Sequence, residues 1–411
     1  METIEAQTLA APAPQTKLGE KGFIVYIAFL SAFIPLSTDI YLPALPSMVE
    51  NLNTTPALVN LTIVFFFVFF ALGTLFWGPL SDKYGRKPVL LAGLLLYTLA
   101  SFLCVFSTSI YALIIFRVLQ AIGCGSATAI SNAIIKDSFE GERRGKILAI
   151  VQSMALTSPI VAPVIGAFIL NAMSWRGVFI VLTVIGVISV AGTFLMDETL
   201  TKKSTGNILA TIKKLRGAVQ NKSLMYLLFT FAFMQIAFMS YITGSSYIYV
   251  DGFGVSEQMY SFYFSANAVF LLLGPLLYIQ AAKRFNYRSI IKFSFLVVAV
   301  CGLMILLFGN TGPLVFCLIL IPASLFGNML GPIRMNLMIE QVDDDMGAAS
   351  SIIMCTFTLI GSIGMLLISI DFINKVTLMG SLYLAMSLIC LAAWLKVSRL
   401  PIIRHLDYAK K

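Results

Sequence analysis

Asp39 stands in Ser37-Thr38-Asp39-Ile40-Tyr41-Leu42-Pro43 and is the only carboxylate well within any stretch apolar and long enough to cross a membrane. A carboxylate placed in hydrocarbon is a candidate proton carrier. The competing reading is an interfacial carboxylate bonded to backbone near Pro43. Arg117 lies inside another apolar run, Arg117-Val118-Leu119-Gln120-Ala121-Ile122-Gly123-Cys124-Gly125. Charge in a span is costly and is a functional hypothesis by default, its rival here being an arginine that snorkels from near a helix end. Other chemistry is poorly supplied. The single histidine, His405, sits in a basic tail, and no His/Asp/Glu cluster accompanies Asp39. The six cysteines (104, 124, 301, 317, 355, 390) show no CxxC spacing, so neither a metal site nor a redox pair is indicated. No G-x-x-x-x-G-K-[ST] loop is present, so ATP does not supply the energy. No catalytic residue, metal or cofactor is expected.

The elements that must position Asp39 and Arg117 follow from composition. Of 411 residues, 59% are hydrophobic and 11% charged, against about 25% charged in soluble domains. Long unbroken apolar runs specify helices rather than a β-barrel. Twelve spans are expected, near 22–42, 58–80, 88–107, 110–133, 147–170, 177–197, 224–245, 259–281, 289–309, 313–333, 347–370 and 377–397. Placing the N-terminus inside puts 25 of the 28 basic residues, Arg334 among them, in cytoplasmic segments. Both termini are therefore expected in the cytoplasm, and the charge of +9 needs no nucleic-acid partner. The chain divides into a disordered tail (1–21), a six-helix half (22–197), a polar basic loop (198–223), a second six-helix half (224–397) and a tail (398–411). Gly78-Pro79-Leu80 and Gly274-Pro275-Leu276 hint at a repeat, and the same offset brings Asp39 opposite Gln235.

Gly78-Pro79-Leu80-Ser81-Asp82-Lys83-Tyr84-Gly85-Arg86-Lys87 matches the G-x-L-a-D-r-x-G-r-k loop of the major facilitator superfamily, between the second and third spans where that family carries it. Gly78 is expected to admit a neighbouring helix, and Asp82 to face a helix N-terminus of the opposite half. The Arg117 segment resembles the family's R-x-x-q-g-x-g motif, with Ala121 for a glycine. Ser158-Pro159-Ile160-Val161-Ala162-Pro163-Val164-Ile165-Gly166-Ala167 resembles its antiporter motif at Pro163 and Gly166, with other small residues where glycines are usual. The end of the first span resembles Bcr/CflA-type drug-resistance transporters, as do Asp197-Glu198-Thr199-Leu200 and Gly347-Ala348-Ala349-Ser350-Ser351. Gly331-Pro332-Ile333-Arg334-Met335-Asn336 matches no pattern of the family.

The resemblance implies an all-α membrane protein of twelve helices in two pseudo-symmetric halves. It gives Gly78, Asp82, Gly85, Arg86 and Lys87 a switching role, Pro159, Pro163 and Gly166 an antiporter role, and Asp39 and Arg117 proton coupling. It places Asp39, Tyr41, Arg117, Gln120, Gln235, Tyr241 and Asn328 around a central cavity, with a Met- and Phe-rich wall (Phe229, Phe231, Phe233, Met234, Phe238, Met239). The implied protein is no enzyme. It is a monomer in the bacterial inner membrane whose partners are lipid, protons and a small-molecule substrate. The implied function is proton-coupled multidrug efflux, a resistance activity; the alternative is export of a metabolite such as an amino acid, nucleoside or sugar.

Overall fold

The computed structural model of the chain describes residues 17–200, 215–342, 346–370, 374–404 and 406. The N-terminal tail over 1–16, most of the central loop (201–214), His405 and the last residues (407–411) lie outside the described residues. Within them the fold is all-α. Ten helices are long and apolar enough to cross a membrane, and the bent pair Gly19–Ser31 and Phe33–Asn51 makes an eleventh. The remaining expected span, the fifth, is the continuous helix Gly141–Ala172, whose apolar part is the shorter stretch Thr157–Ala172.

Helical segments fall at all twelve expected places, and chain chemistry explains their breaks. The first span bends by 42° beside Ala32. Pro35 has no N–H for the Ser31 carbonyl four residues back, and its ring crowds that carbonyl. Asp39 ends the second segment because Pro43 does the same to its own carbonyl; a 3-10 turn, Leu42–Ala44, follows. The first helix starts at Gly19, taking in the last three residues of the stretch expected to be tail, and residues 215–220 of the expected central loop are helical. The seventh span is built of Lys222–Ala232, Met234–Ser246 and a closing π-turn, Tyr247–Gly252.

Each half is tied together at the end that carries the basic loops. In the N-terminal half the Glu198 carboxylate accepts the backbone N–H groups of Arg86 (3.0 Å) and Lys87 (3.1 Å), and also those of Thr199 and Leu200. This satisfies orphan donors at the start of the third span and places an anion at a helix N-terminus. Lys87 returns the favour at the end of the sixth span, its Nζ donating to the carbonyls of Phe194 and Met196. In the C-terminal half Gln341 is the corresponding tie. Its carbonyl accepts from Asn221 Nδ2 (2.8 Å), its Nε2 donates to the Arg404 carbonyl (2.7 Å), and its Oε1 accepts from the Arg404 N–H (2.9 Å). The stretch after the last span is thus docked, with Ile403 buried.

Gln341→Ala removes both side-chain bonds to Arg404, each worth about 1 kcal/mol net. We expect trypsin to cut at Arg399 and Arg404 roughly tenfold to thirtyfold faster in the folded variant. A time course of limited proteolysis reads this directly.

Candidate functional site

A cavity of about 210 Å³ lies between the halves. Asp39 and Pro159 are its only lining residues from the N-terminal half; the rest come from the seventh, eighth, tenth and twelfth spans. Gln235, Tyr241 and Asn328 line it as expected from the sequence, and Asp39 and Gln235, aligned by the repeat offset, meet there. Of the expected Met/Phe wall, Phe238 and Met239 line it. Phe231 and Met234 are buried elsewhere in the core, and Phe229 is exposed.

Asp39 is 6% exposed, and its Oδ1 accepts from Thr38 Oγ1 at 3.0 Å. This local bond, and not a backbone partner near Pro43, is what the structure gives it. Tyr241 lies flat on Phe264, ring centroids 5.5 Å apart, and its buried hydroxyl has no hydrogen-bond partner among the described residues. Asn328 is fixed by the eighth span. Pro275 deprives the Leu271 carbonyl of its helical donor, and Asn328 Nδ2 supplies one at 2.8 Å.

Arg334 also lines the cavity, which corrects its expected place in a cytoplasmic segment. The tenth helix runs Pro313–Ile339, beyond the expected end at 333, because Pro332 and Pro322 are accommodated inside it. The Arg334 guanidinium stacks on Phe357, 4.7 Å from the ring centre. With the Gln235 amide turned to satisfy both groups, its oxygen accepts from Arg334 Nη1 and Nη2 at 3.2 and 3.3 Å. One signal marked this residue: its segment, Gly331-Pro332-Ile333-Arg334-Met335-Asn336, fitted no family pattern.

Tyr41, Gln120 and Arg117 do not line this cavity. They form a separate buried cluster inside the N-terminal half. Arg117 is fully buried, so it does not snorkel. Its Nη1 donates to the Ser37 carbonyl (3.1 Å) and to Gln120 Oε1 (2.6 Å). Phe66 and Tyr41 offer ring faces to the guanidinium at 4.3 and 4.8 Å. Gln120 is consumed in passing this bond on to Ser101, and the Tyr41 hydroxyl is paired with Thr62. Arg117 is two residues from Asp39 through the Ser37 carbonyl, and its Nε and Nη2 have no hydrogen-bond partner among the described residues.

The loop after the second span works within its own half. Asp82 binds Arg86 Nη1 at 2.5 Å, and Asp137, at the end of the fourth span, binds Arg86 Nε at 2.7 Å. Asp82 therefore faces an arginine of its own loop, not a helix of the other half. Gly78 has open space where a Cβ would be, so it seats no neighbouring helix. Gly85 is the glycine under constraint: its φ is +116°, and an added Cβ would lie 2.6 Å from Glu198 Oε2. The signal for Glu198 was the Asp197-Glu198-Thr199-Leu200 echo, whose partner in space no spacing rule supplied.

The fifth span joins the halves at the end opposite the basic loops. Ser261 Oγ donates to the Pro163 carbonyl (3.0 Å) and Ser265 Oγ to the Ile160 carbonyl (2.5 Å). These serines are four apart, on one face of the eighth span. A further bond between the halves joins the second span to the end of the eleventh, Asn60 Nδ2 donating to Ser369 Oγ at 2.7 Å. Gly166 lies against the Ile40 carbonyl so closely that a Cβ would collide with it. The fifth span is thereby pressed onto the broken first span, one residue from Asp39. Among the described residues no group of His, Cys, Asp and Glu is placed to hold a metal ion.

The Major Facilitator Superfamily profile matches residues 27–365. An uncharacterized MFS-type transporter of Bacillus subtilis (strain 168), YdgK, is 27% identical over 354 residues, 84% of this chain and 88% of that protein. The bicyclomycin resistance protein homolog of Haemophilus influenzae is 24% identical over 290 residues, 69% of this chain and 72% of that protein. The solved structure of a peptide transporter, POT, in complex with sulfate superposes with a TM-score of 0.76 at 14% identity, covering 98% of this chain and 100% of that one; it speaks for the fold alone.

Alanine at Gly85 must adopt a backbone conformation that side chains rarely take, at a cost of about 1–3 kcal/mol, and must push Glu198 aside. We expect Gly85→Ala to lower the thermal unfolding midpoint in detergent by several degrees, and Glu198→Gln to do so by less. Intrinsic fluorescence on heating measures both.

Proposed function

The chain belongs to the Major Facilitator Superfamily, and from that membership we propose that it exports small amphipathic compounds in exchange for protons, by alternating access. Its multi-pass transport character is that of the family, which is one of transporters and not enzymes. The relative named for bicyclomycin resistance supports drug-like substrates, and the bacterial relatives support the inner membrane. The balance of basic residues favours a cytoplasmic N-terminus.

One observation carries the coupling. The single carboxylate of the cavity belongs to one half, while the rest of the lining belongs almost wholly to the other. Asp39 thus feels the cavity only through the relation of the two halves. In the proposed cycle a proton from outside neutralises Asp39 and displaces the substrate. The halves then rock, the proton leaves to the cytoplasm, and the ionised carboxylate binds again. A charged carboxylate in a closing, low-dielectric cavity is costly, so closure requires either a proton or a bound counter-charge. The serine seam is suited to the hinge. Hydroxyls on helix carbonyls exchange for water at small net cost, on the order of 1 kcal/mol each. Arg117 serves as a positioning residue, its bond to the Ser37 carbonyl holding the turn that carries Asp39.

The test uses everted membrane vesicles with an imposed pH gradient and a panel of amphiphilic drugs and metabolites. We expect substrate-dependent proton release with the wild type and none with folded Asp39→Asn. Equal release by the variant would remove Asp39 from coupling. A response to metabolites alone would replace the drug reading.

A further inference from the structure

Two opposite charges line one small cavity and leave each other unpaired. Asp39 contributes a carboxylate from the N-terminal half and Arg334 a guanidinium from the C-terminal half, and no ion pair joins them. Asp39 has a hydroxyl from Thr38, and Arg334 has the Gln235 amide and the Phe357 ring. Among the described residues neither has an ion-pair partner. Of the two arginines buried within the N-terminal half, Arg86 is given the counter-charges Asp82 and Asp137, while Arg117 is held by ring faces, the Gln120 oxygen and the Ser37 carbonyl; neither faces the cavity, as Arg334 does. A desolvated charge left without a counter-charge is expensive to hold, and the cavity wall is where a ligand can provide one. Between the two ends the wall is apolar and aromatic, with the flat Tyr241–Phe264 pair and Phe238. The buried Tyr241 hydroxyl, without a hydrogen-bond partner among the described residues, is a further polar group that a ligand can satisfy.

We propose that the cavity selects amphoteric substrates: a compact apolar or aromatic body with a cationic group toward Asp39 and an anionic group toward Arg334. The volume of about 210 Å³ holds the equivalent of about seven waters at about 30 Å³ each, which suits a single-ring body. This assignment rests on Asp39 being the exchange site proposed above and adds what that reading leaves open. It also fits the coupling. The cationic group competes with the proton for the same carboxylate, while the anionic group holds the substrate on the C-terminal half whatever the state of Asp39. A purely anionic substrate would favour protonation of Asp39 and would travel with the proton instead of against it. A purely cationic one would leave Arg334 without a counter-charge at the cavity wall.

The experiment measures binding of three probes on one ring to purified, reconstituted protein by equilibrium dialysis. They are 4-(aminomethyl)benzoate, carrying both charges, 4-methylbenzoate, carrying the anion alone, and 4-methylbenzylamine, carrying the cation alone. The expected result is at least tenfold tighter binding of the first than of either other. Arg334→Gln should bring 4-(aminomethyl)benzoate down to the level of 4-methylbenzylamine, and Asp39→Asn should bring it down to the level of 4-methylbenzoate. Arg334→Lys, which keeps the charge, should retain most of the preference and so separate charge from folding. Equal binding of the three probes, no binding of any, or a preference that survives Arg334→Gln overturns the proposal. Proton release in vesicles is scored separately. An amphoteric preference without proton coupling would sink the antiport reading and leave this one. Coupling driven equally by uncharged amphiphiles would do the reverse.

Discussion

Hydrocarbon does not forgive an unsatisfied charge, and the way this chain disposes of its buried charges organises the rest of the structure. Arg86 is neutralised by Asp82 and Asp137. Arg117 has no carboxylate and is held by aromatic faces, a glutamine oxygen and one backbone carbonyl. Asp39 and Arg334 are left at the wall of the cavity. The first two make a half rigid. The last two are the groups that, in the proposed reading, make the space between the halves selective.

In the proposed cycle, rigidity within each half is a condition for motion between them. Glu198 and Lys87 bind the third and sixth spans to each other through backbone groups, and Gln341 binds the tenth span, the seventh and the C-terminal stretch. Between the halves the hydrogen bonds are of another kind: single hydroxyls or amides on carbonyls and hydroxyls, at Ser261, Ser265 and Asn60. Such bonds are individually weak and can be handed to water. Gly166, packed on the Ile40 carbonyl, ensures that any shift of the fifth span is felt at the break that carries Asp39.

Much of this was legible in the sequence because hydrocarbon imposes long-range rules on local composition. Apolar length marked the spans; the breaks around Asp39, at Pro35 and Pro43, emerged with the structure. The placement of Asp39, Gln235, Tyr241 and Asn328 at one cavity followed from family architecture. What was not legible depends on side-chain direction across helices. Gln120 and Tyr41 lie on the right spans, but each is spent on a neighbour, Ser101 and Thr62, inside its own half. Gly78 fits a close-packing pattern, yet the constrained glycine of that loop is Gly85, whose need arises from a positive φ and from Glu198, more than a hundred residues away. Arg334 was assigned to a loop because basic residues usually end spans; two prolines tolerated inside one helix carried it into the wall instead.

The central claim is that Asp39 trades a proton for substrate within a cavity closed by two rigid halves. Infrared difference spectroscopy of the reconstituted protein, recorded with and without bound 4-(aminomethyl)benzoate, tests it most directly, with Asp39→Asn identifying the band. The account predicts a carboxylic-acid carbonyl band from Asp39 in the ligand-free protein at mildly acidic pH, replaced by carboxylate bands when the ligand binds. An Asp39 carboxyl group in the same protonation state with and without ligand, across the pH range in which the protein transports, would contradict it.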